Sequence, residues 1–155
     1  VSRDWSSDVC SSDLLAANVT RNFQLVGGYT QTHSYVSKNP ANPAIVGRAQ
    51  IRSPTHTATV TTSYRFTTGW LKGASAGFNA SYRGQAKAFE TNDPYPYLLD
   101  PRIVVNARAG YATRLLGRPV TWNLNVSNVF NEKYYPSSIS MGDPTSWRLS
   151  ADYRF

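Results

Sequence analysis

The chain is 155 residues long, 41% hydrophobic, and carries a formal net charge of +7. No stretch approaches the ~20 consecutive apolar residues of a membrane-spanning helix. A single cysteine, Cys10, excludes an internal disulfide and a cysteine-built metal set. These totals do not exclude a barrel strand, whose polar face hides its apolar face from any averaging window.

Ten tyrosines, abundant Ser and Thr, and little helical periodicity point to an all-β chain. Residues 1–14, VSRDWSSDVCSSDL, show neither strand nor helix periodicity and lack the charged start and apolar run of a signal peptide. They resemble translated sequencing-adapter read-through, and are set aside as an artefactual or disordered tail, expected to be unpaired. The natural protein is then expected to extend upstream.

From residue 21 a period of two takes over. RNFQLVGGYTQTHSYV places Phe23, Leu25, Gly27, Tyr29 and Tyr35 on one face. THTATVTTSYRF sets Ala58, Val60, Tyr64 and Phe66 against Thr57, Thr59, Thr61, Ser63 and Arg65. GASAGFNASYRGQA gives Ala74, Ala76, Phe78, Ala80 and Tyr82 against Ser75, Asn79, Ser81, Arg83 and Gln85. RIVVNARAGYA and VTWNLNVSNVF repeat the pattern around Arg108 and Trp122. TSWRLSADYRF ends the chain with Trp147, Leu149, Ala151, Tyr153 and Phe155 on one face and Arg148, Asp152 and Arg154 on the other. Six strands are predicted, with every charge on the polar face.

Parity alone leaves open whether the apolar face meets a core or lipid, so a soluble β-sandwich binding an anionic polymer is one reading. The links argue for the other. They alternate, with long ones near 37–54, 87–101 and 131–145 and short ones at 67–72 and 115–119. Long loops at one end and short turns at the other suit an outer-membrane barrel with the C-terminus on the periplasmic side. A passive porin-type barrel would share these features.

SPTHTATVTTSYRF, WLKGASAGFNASYRG, IVVNARAGY, NVSNVFNEKYY and MGDPTSWRLSADYRF resemble, in order, C-terminal strands of TonB-dependent outer-membrane receptors of the siderophore-receptor group. Asn106 stands where these receptors usually carry Asp, and Thr145 where they carry Arg. The resemblance covers roughly 15–155. It implies an antiparallel up-and-down meander of about six strands, the C-terminal portion of a 22-stranded barrel with an N-terminal plug. It further implies energy-coupled uptake of ferric siderophores or similar scarce ligands. The implied location is the outer membrane of a Gram-negative bacterium, in contact with its lipid and lipopolysaccharide. The plug and the segment that meets the energy-coupling protein lie outside this chain.

Arg and Tyr suit anionic, catechol-rich chelates, so Arg48, Arg52, Lys87, Tyr95, Tyr97, Tyr134 and Tyr135 in the long links are the candidate ligand-binding residues. By resemblance, Trp147, Leu149, Ala151, Tyr153 and Phe155 form the signal read by the barrel-assembly machinery, and β-augmentation supplies its physical logic. His33 and His56 read as strand residues. His56 with Ser63 or Ser53 is the one weak hydrolase-like grouping. No enzyme, cofactor, metal or nucleic-acid role is expected.

Overall fold

The computed structural model describes residues 5–88, 97–137 and 139–153, with side chains from residue 10 onward. The strands are β1 (Trp5–Asn18), β2 (Phe23–Lys38), β3 (His56–Arg65), β4 (Ala74–Arg83), β5 (Ala86–Lys87), β6 (Leu98–Leu99), β7 (Arg102–Leu115), β8 (Arg118–Ser127) and β9 (Ser146–Tyr153). Seven of them form one antiparallel sheet in the order β1-β2-β3-β4-β7-β8-β9, and β5 and β6 form a separate two-stranded ribbon. Pairing follows chain order, so the sheet is an up-and-down meander, as the periodicity predicts.

Directly opposed residues of an antiparallel pair share a face, and the register keeps the two faces distinct across the sheet. Phe23, Tyr64, Ala76, Ala109, Leu124 and Leu149 make one transverse row of the apolar face. One residue away, Gln24, Ser63, Gly77, Arg108, Asn125 and Arg148 make a row of the polar face. A slip of one residue anywhere would mix the rows.

No second layer covers the apolar face among the described residues. Phe78 is 46% exposed, Leu149 58% and Trp147 75%. A two-layer sandwich would bury these positions, so that alternative is overturned. Among the described residues, five of the six buried hydrophobics, Val36, Ile45, Ala86, Ala88 and Leu99, belong instead to the ends and loops beyond β2 and β4. The 39–55 and 84–101 links thus pack a small core of their own.

The sheet contains one strand more than predicted. Residues 5–18 pair with β2, from Trp5↔Lys38 to Asn18↔Gln24 with one irregularity between Trp5 and Ser6, which overturns for residues 5–14 the expectation that they are unpaired. The free edge of β2 offers unmet backbone donors and acceptors to any neighbouring segment, whatever its side chains. Leu15 and Ala17 face the apolar side opposite Gly27 and Leu25, whereas Asp13 lies on that side opposite Tyr29. Leu14 falls on the polar side, its Cδ1 3.9 Å from where a Cβ on Gly28 would stand.

Links 19–22, 66–73 and 116–117 lie at one end, and links 39–55, 84–101 and 128–145 at the other. We call these the turn end and the loop end.

Candidate functional site

The polar face carries a pair of arginines at the loop end. Arg83 and Arg102, the last residue of β4 and the first of β7, are direct cross-strand partners. Between them the chain makes the whole 84–101 link. Two like charges directly opposite are unfavourable on a sheet. Each guanidinium serves a different loop. An Arg83 Nη donates to the carbonyl of Arg52 at 2.7 Å, and an Arg102 Nη donates to the carbonyl of Tyr135 at 3.0 Å.

Arg52 is pinned on both sides. Its own N–H donates to the carbonyl of Lys87 at 2.7 Å, and its φ of 58° lies in the left-handed region. The opposite wall is a stack. The Arg102 guanidinium lies 4.6 Å from the centroid of the Tyr134 ring. Gly142 packs so closely against the same ring that a Cβ there would overlap its atoms. The stack fixes where Arg102 points at a contribution of about 0.5–1 kcal/mol.

Below the stack, Asn128 organises the 128–145 link. It is 3% exposed and adopts a φ of 50°. Its Nδ2 donates to the carbonyls of Glu132 and Asp143, both at 2.9 Å, and its Oδ1 accepts the Glu132 N–H at 2.8 Å. Its N–H donates to Asn106 Oδ1 at 2.9 Å, and its carbonyl accepts the Thr145 hydroxyl at 2.6 Å. The two sequence departures noted above fall here. Asn106 offers the same acceptor oxygen that an Asp would, and Thr145 closes the base of the loop.

These residues line an open cleft of about 660 Å³, walled by Thr57, Ser81, Arg83, Arg102, Tyr134 and Asp143 among others. That volume is within the usual range of ligand sites. Of the seven candidate ligand residues, the cleft brings Tyr134 to its wall. Arg52, Lys87 and Tyr135 act on it through their backbones. Tyr97 is 60% exposed beside the β5–β6 ribbon, where its carbonyl accepts the Ala88 N–H. Arg48 sits in the 39–55 link, its carbonyl accepting the Val36 N–H. Tyr95 lies outside the described residues.

Sequence reasoning missed Arg83 and Arg102 as site residues. The available signal was two cations at the loop-proximal ends of consecutive long strands, flanking one long link. The hydrolase-like grouping does not form. His56 accompanies the apolar face, where its Nδ1 meets the Tyr29 hydroxyl at 2.8 Å, whereas Ser63 faces the polar side. Ser53 Oγ instead donates to Ser34 Oγ at 3.2 Å.

At the other edge of the sheet, Trp147, Leu149, Ala151 and Tyr153 of β9 face the apolar side. Their partners are Val126, Leu124, Trp122 and Val120. Phe155 lies outside the described residues.

No protein-family model matches the chain. Among curated proteins it is 27% identical over 140 residues to the metal-pseudopaline receptor CntO of Pseudomonas aeruginosa, covering 87% of this chain. It is 29% identical over 149 residues to the catecholate siderophore receptor Fiu of Escherichia coli, covering 91%. It is also 27% identical over 124 residues, 80% of this chain, to an uncharacterised TonB-dependent receptor of Haemophilus influenzae. This chain is homologous to TonB-dependent outer-membrane receptors.

The chain spans 19% of the length of CntO and of Fiu, and 36% of the Haemophilus protein. Its fold matches solved receptors. The ferric preacinetobactin receptor BauA of Acinetobacter baumannii superposes with a TM-score of 0.81 at 18% identity, over 96% of this chain and 22% of BauA. The pyoverdine receptor FpvA of P. aeruginosa gives 0.75 at 21% identity, over 97% of this chain and 22% of FpvA. The apolar face is therefore the lipid face of an outer-membrane barrel in a Gram-negative bacterium, and the polar face its lumen. In such barrels short turns lie on the periplasmic side and long loops outside.

Proposed function

We propose that this chain is the C-terminal part of the barrel of a receptor for energy-coupled uptake of ferric siderophores or similar scarce ligands. The observation that carries the reading is the Arg83–Arg102 pair. It stands at the extracellular end of a lumen face, in a chain whose relatives include siderophore receptors. Each guanidinium has five donors and gives one to a loop carbonyl. Further donors suit an anionic oxygen ligand between them, and Tyr134 adds a stacking surface. Asp143 on the same wall tempers the charge.

The test is binding to the intact receptor of an anionic iron(III) tris-catecholate and of a neutral iron(III) hydroxamate. Arg83→Gln with Arg102→Gln should weaken the first by about 10-fold or more and leave the second within about twofold, as expected where charged hydrogen bonds are lost. Equal loss of both would point to collapsed loops, and no loss of either would remove the site.

Three parts of the reading rest on resemblance. The apolar series of β9 with Phe155 serves as the signal to the barrel-assembly machinery. Lipopolysaccharide lies against the extracellular half, and the energy-coupling protein engages a segment outside this chain. We further assign residues 15–155 to the barrel and residues 1–14 to foreign sequence. The support is Asp13, which would put a charge on the lipid face where Leu15 and Ala17 obey the barrel rule.

A further inference from the structure

The periplasmic turns carry a feature that neither strand parity nor ligand uptake requires. The β7–β8 hairpin closes through Leu116 at φ 51° and Gly117 at φ 78°. Both central residues at positive φ make a type I′ geometry, whose first position favours Asn, Asp or Gly. Leucine there is strained, and Leu116 is 91% exposed, with Leu115 beside it at 54%. In water the pair gains nothing that offsets the strain.

The neighbouring 66–73 turn repeats the arrangement. Its tip presents Trp70, 88% exposed, at the position after Gly69, whose φ is 71°. In both turns a cation follows the exposed apolar residue by two positions: Lys72 after Trp70 and Arg118 after Leu116. No acid occurs within FTTGWLKG or TRLLGRP. Arg118 pairs with Leu115, which puts it on the lipid-face parity, followed by the row of Val120 and Tyr153. The turns therefore continue the lipid face and add positive charge to it.

We propose that the 66–73 and 115–118 turns form an anchor for the periplasmic leaflet of the outer membrane, recognising anionic phospholipid. Trp70 and Leu116 enter the boundary between headgroups and acyl chains. Lys72 and Arg118 meet the phosphates, the arrangement that interfacial aromatic and cationic residues adopt at a charged membrane surface. A second leaflet chemistry is excluded by orientation, since lipopolysaccharide occupies the opposite side.

The inference rests on the barrel reading, and its test separates the two. The intact receptor is reconstituted in phosphatidylcholine vesicles with and without phosphatidylglycerol. The Trp70 signal is isolated as wild type minus Trp70→Phe, and a second reporter is Leu116→Trp in the Trp70→Phe background. Brominated acyl chains should quench both reporters about twofold, and aqueous iodide should reach neither. Phosphatidylglycerol should deepen the quenching, and Lys72→Gln with Arg118→Gln should remove that increment alone. Reporters open to iodide and untouched by bromine, or an increment that survives loss of both cations, would overturn the anchor and favour water or a periplasmic protein at the tips. Failure to form heat-modifiable barrel in any vesicle would instead overturn the reading on which it rests.

Discussion

Arg83 and Arg102 are direct cross-strand partners whose guanidiniums bond to different loops, one to the carbonyl of Arg52 and the other to that of Tyr135. One pair of side chains thus ties the 39–55 and 128–145 loops to the two strands that carry the loop between them. The proposed ligand contact and the order of the loops share the same groups.

Arg102→Lys should expose that sharing. Lysine keeps the charge but loses the planar fork and its stack on Tyr134. We expect faster amide exchange across 131–137 in the intact receptor, with exchange in the centres of β7 and β8 unchanged. Tyr134→Leu should reproduce the effect on the loop without altering charge. Equal protection in all three proteins would show that the stack does not order the loop.

Asn128→Ala should be more damaging. It removes three side-chain hydrogen bonds at a 3% exposed position and puts a β-carbon residue without local compensation at φ 50°. Unsatisfied buried groups cost about 1–3 kcal/mol each, so we expect the 128–145 loop to become the first site of proteolysis. Asn128→Gly relieves the backbone but not the hydrogen bonds, and should recover only the smaller share. Asn106→Asp, which retains the acceptor for the Asn128 N–H, should leave the loop intact.

The glycines of the lumen face separate backbone crowding from side-chain crowding. At Gly77 a Cβ would overlap the carbonyl oxygen of Thr62 and come within 3.2 Å of Arg108 Nε. At Gly110 the nearest atom is the hydroxyl oxygen of Ser75 at 2.8 Å, which can rotate away. Gly77→Ala should therefore reduce the yield of heat-modifiable barrel, at a cost of about 1–3 kcal/mol, and Gly110→Ala should be close to neutral.

Strand positions and loop ends were legible because each is written in consecutive residues. Val120, Trp122, Leu124 and Val126 alternate with Thr121, Asn123 and Asn125, and period two needs no knowledge of partners. The Arg83–Arg102 pair was not legible, because cross-strand neighbours depend on register, which the 84–101 link sets. Asn128 was visible within NVSNVFNEKYY as a resemblance, but its role depends on Glu132, Asp143 and Thr145 converging through a folded loop. The pairing of β1 was missed for a different reason. Backbone edges accept almost any extended segment, so side-chain pattern alone cannot exclude a strand.

The last strand offers the sharpest test of which face meets lipid. Leu149 and Ser150 are adjacent, yet Leu149 stands opposite Leu124 on the apolar face and Ser150 opposite Asn123 on the polar face. Arginine at a lipid-facing position costs about 2–4 kcal/mol at the bilayer midplane and less near the interfaces. In the lumen it stays hydrated, and Arg148 and Asp152 already flank Ser150 on that face. We therefore expect Leu149→Arg to lower the equilibrium stability of the intact barrel in phospholipid vesicles by about 1–4 kcal/mol, depending on its depth, and Ser150→Arg to change it by less than about 0.5 kcal/mol. Denaturant titration of the refolded receptor, read by heat-modifiable mobility, measures both. The two substitutions add the same charge one residue apart, so overall charge and strand propensity cancel in the comparison. Equal losses would mean that both faces of β9 are covered, and a larger loss for Ser150→Arg would invert the assignment of lipid and lumen across the sheet.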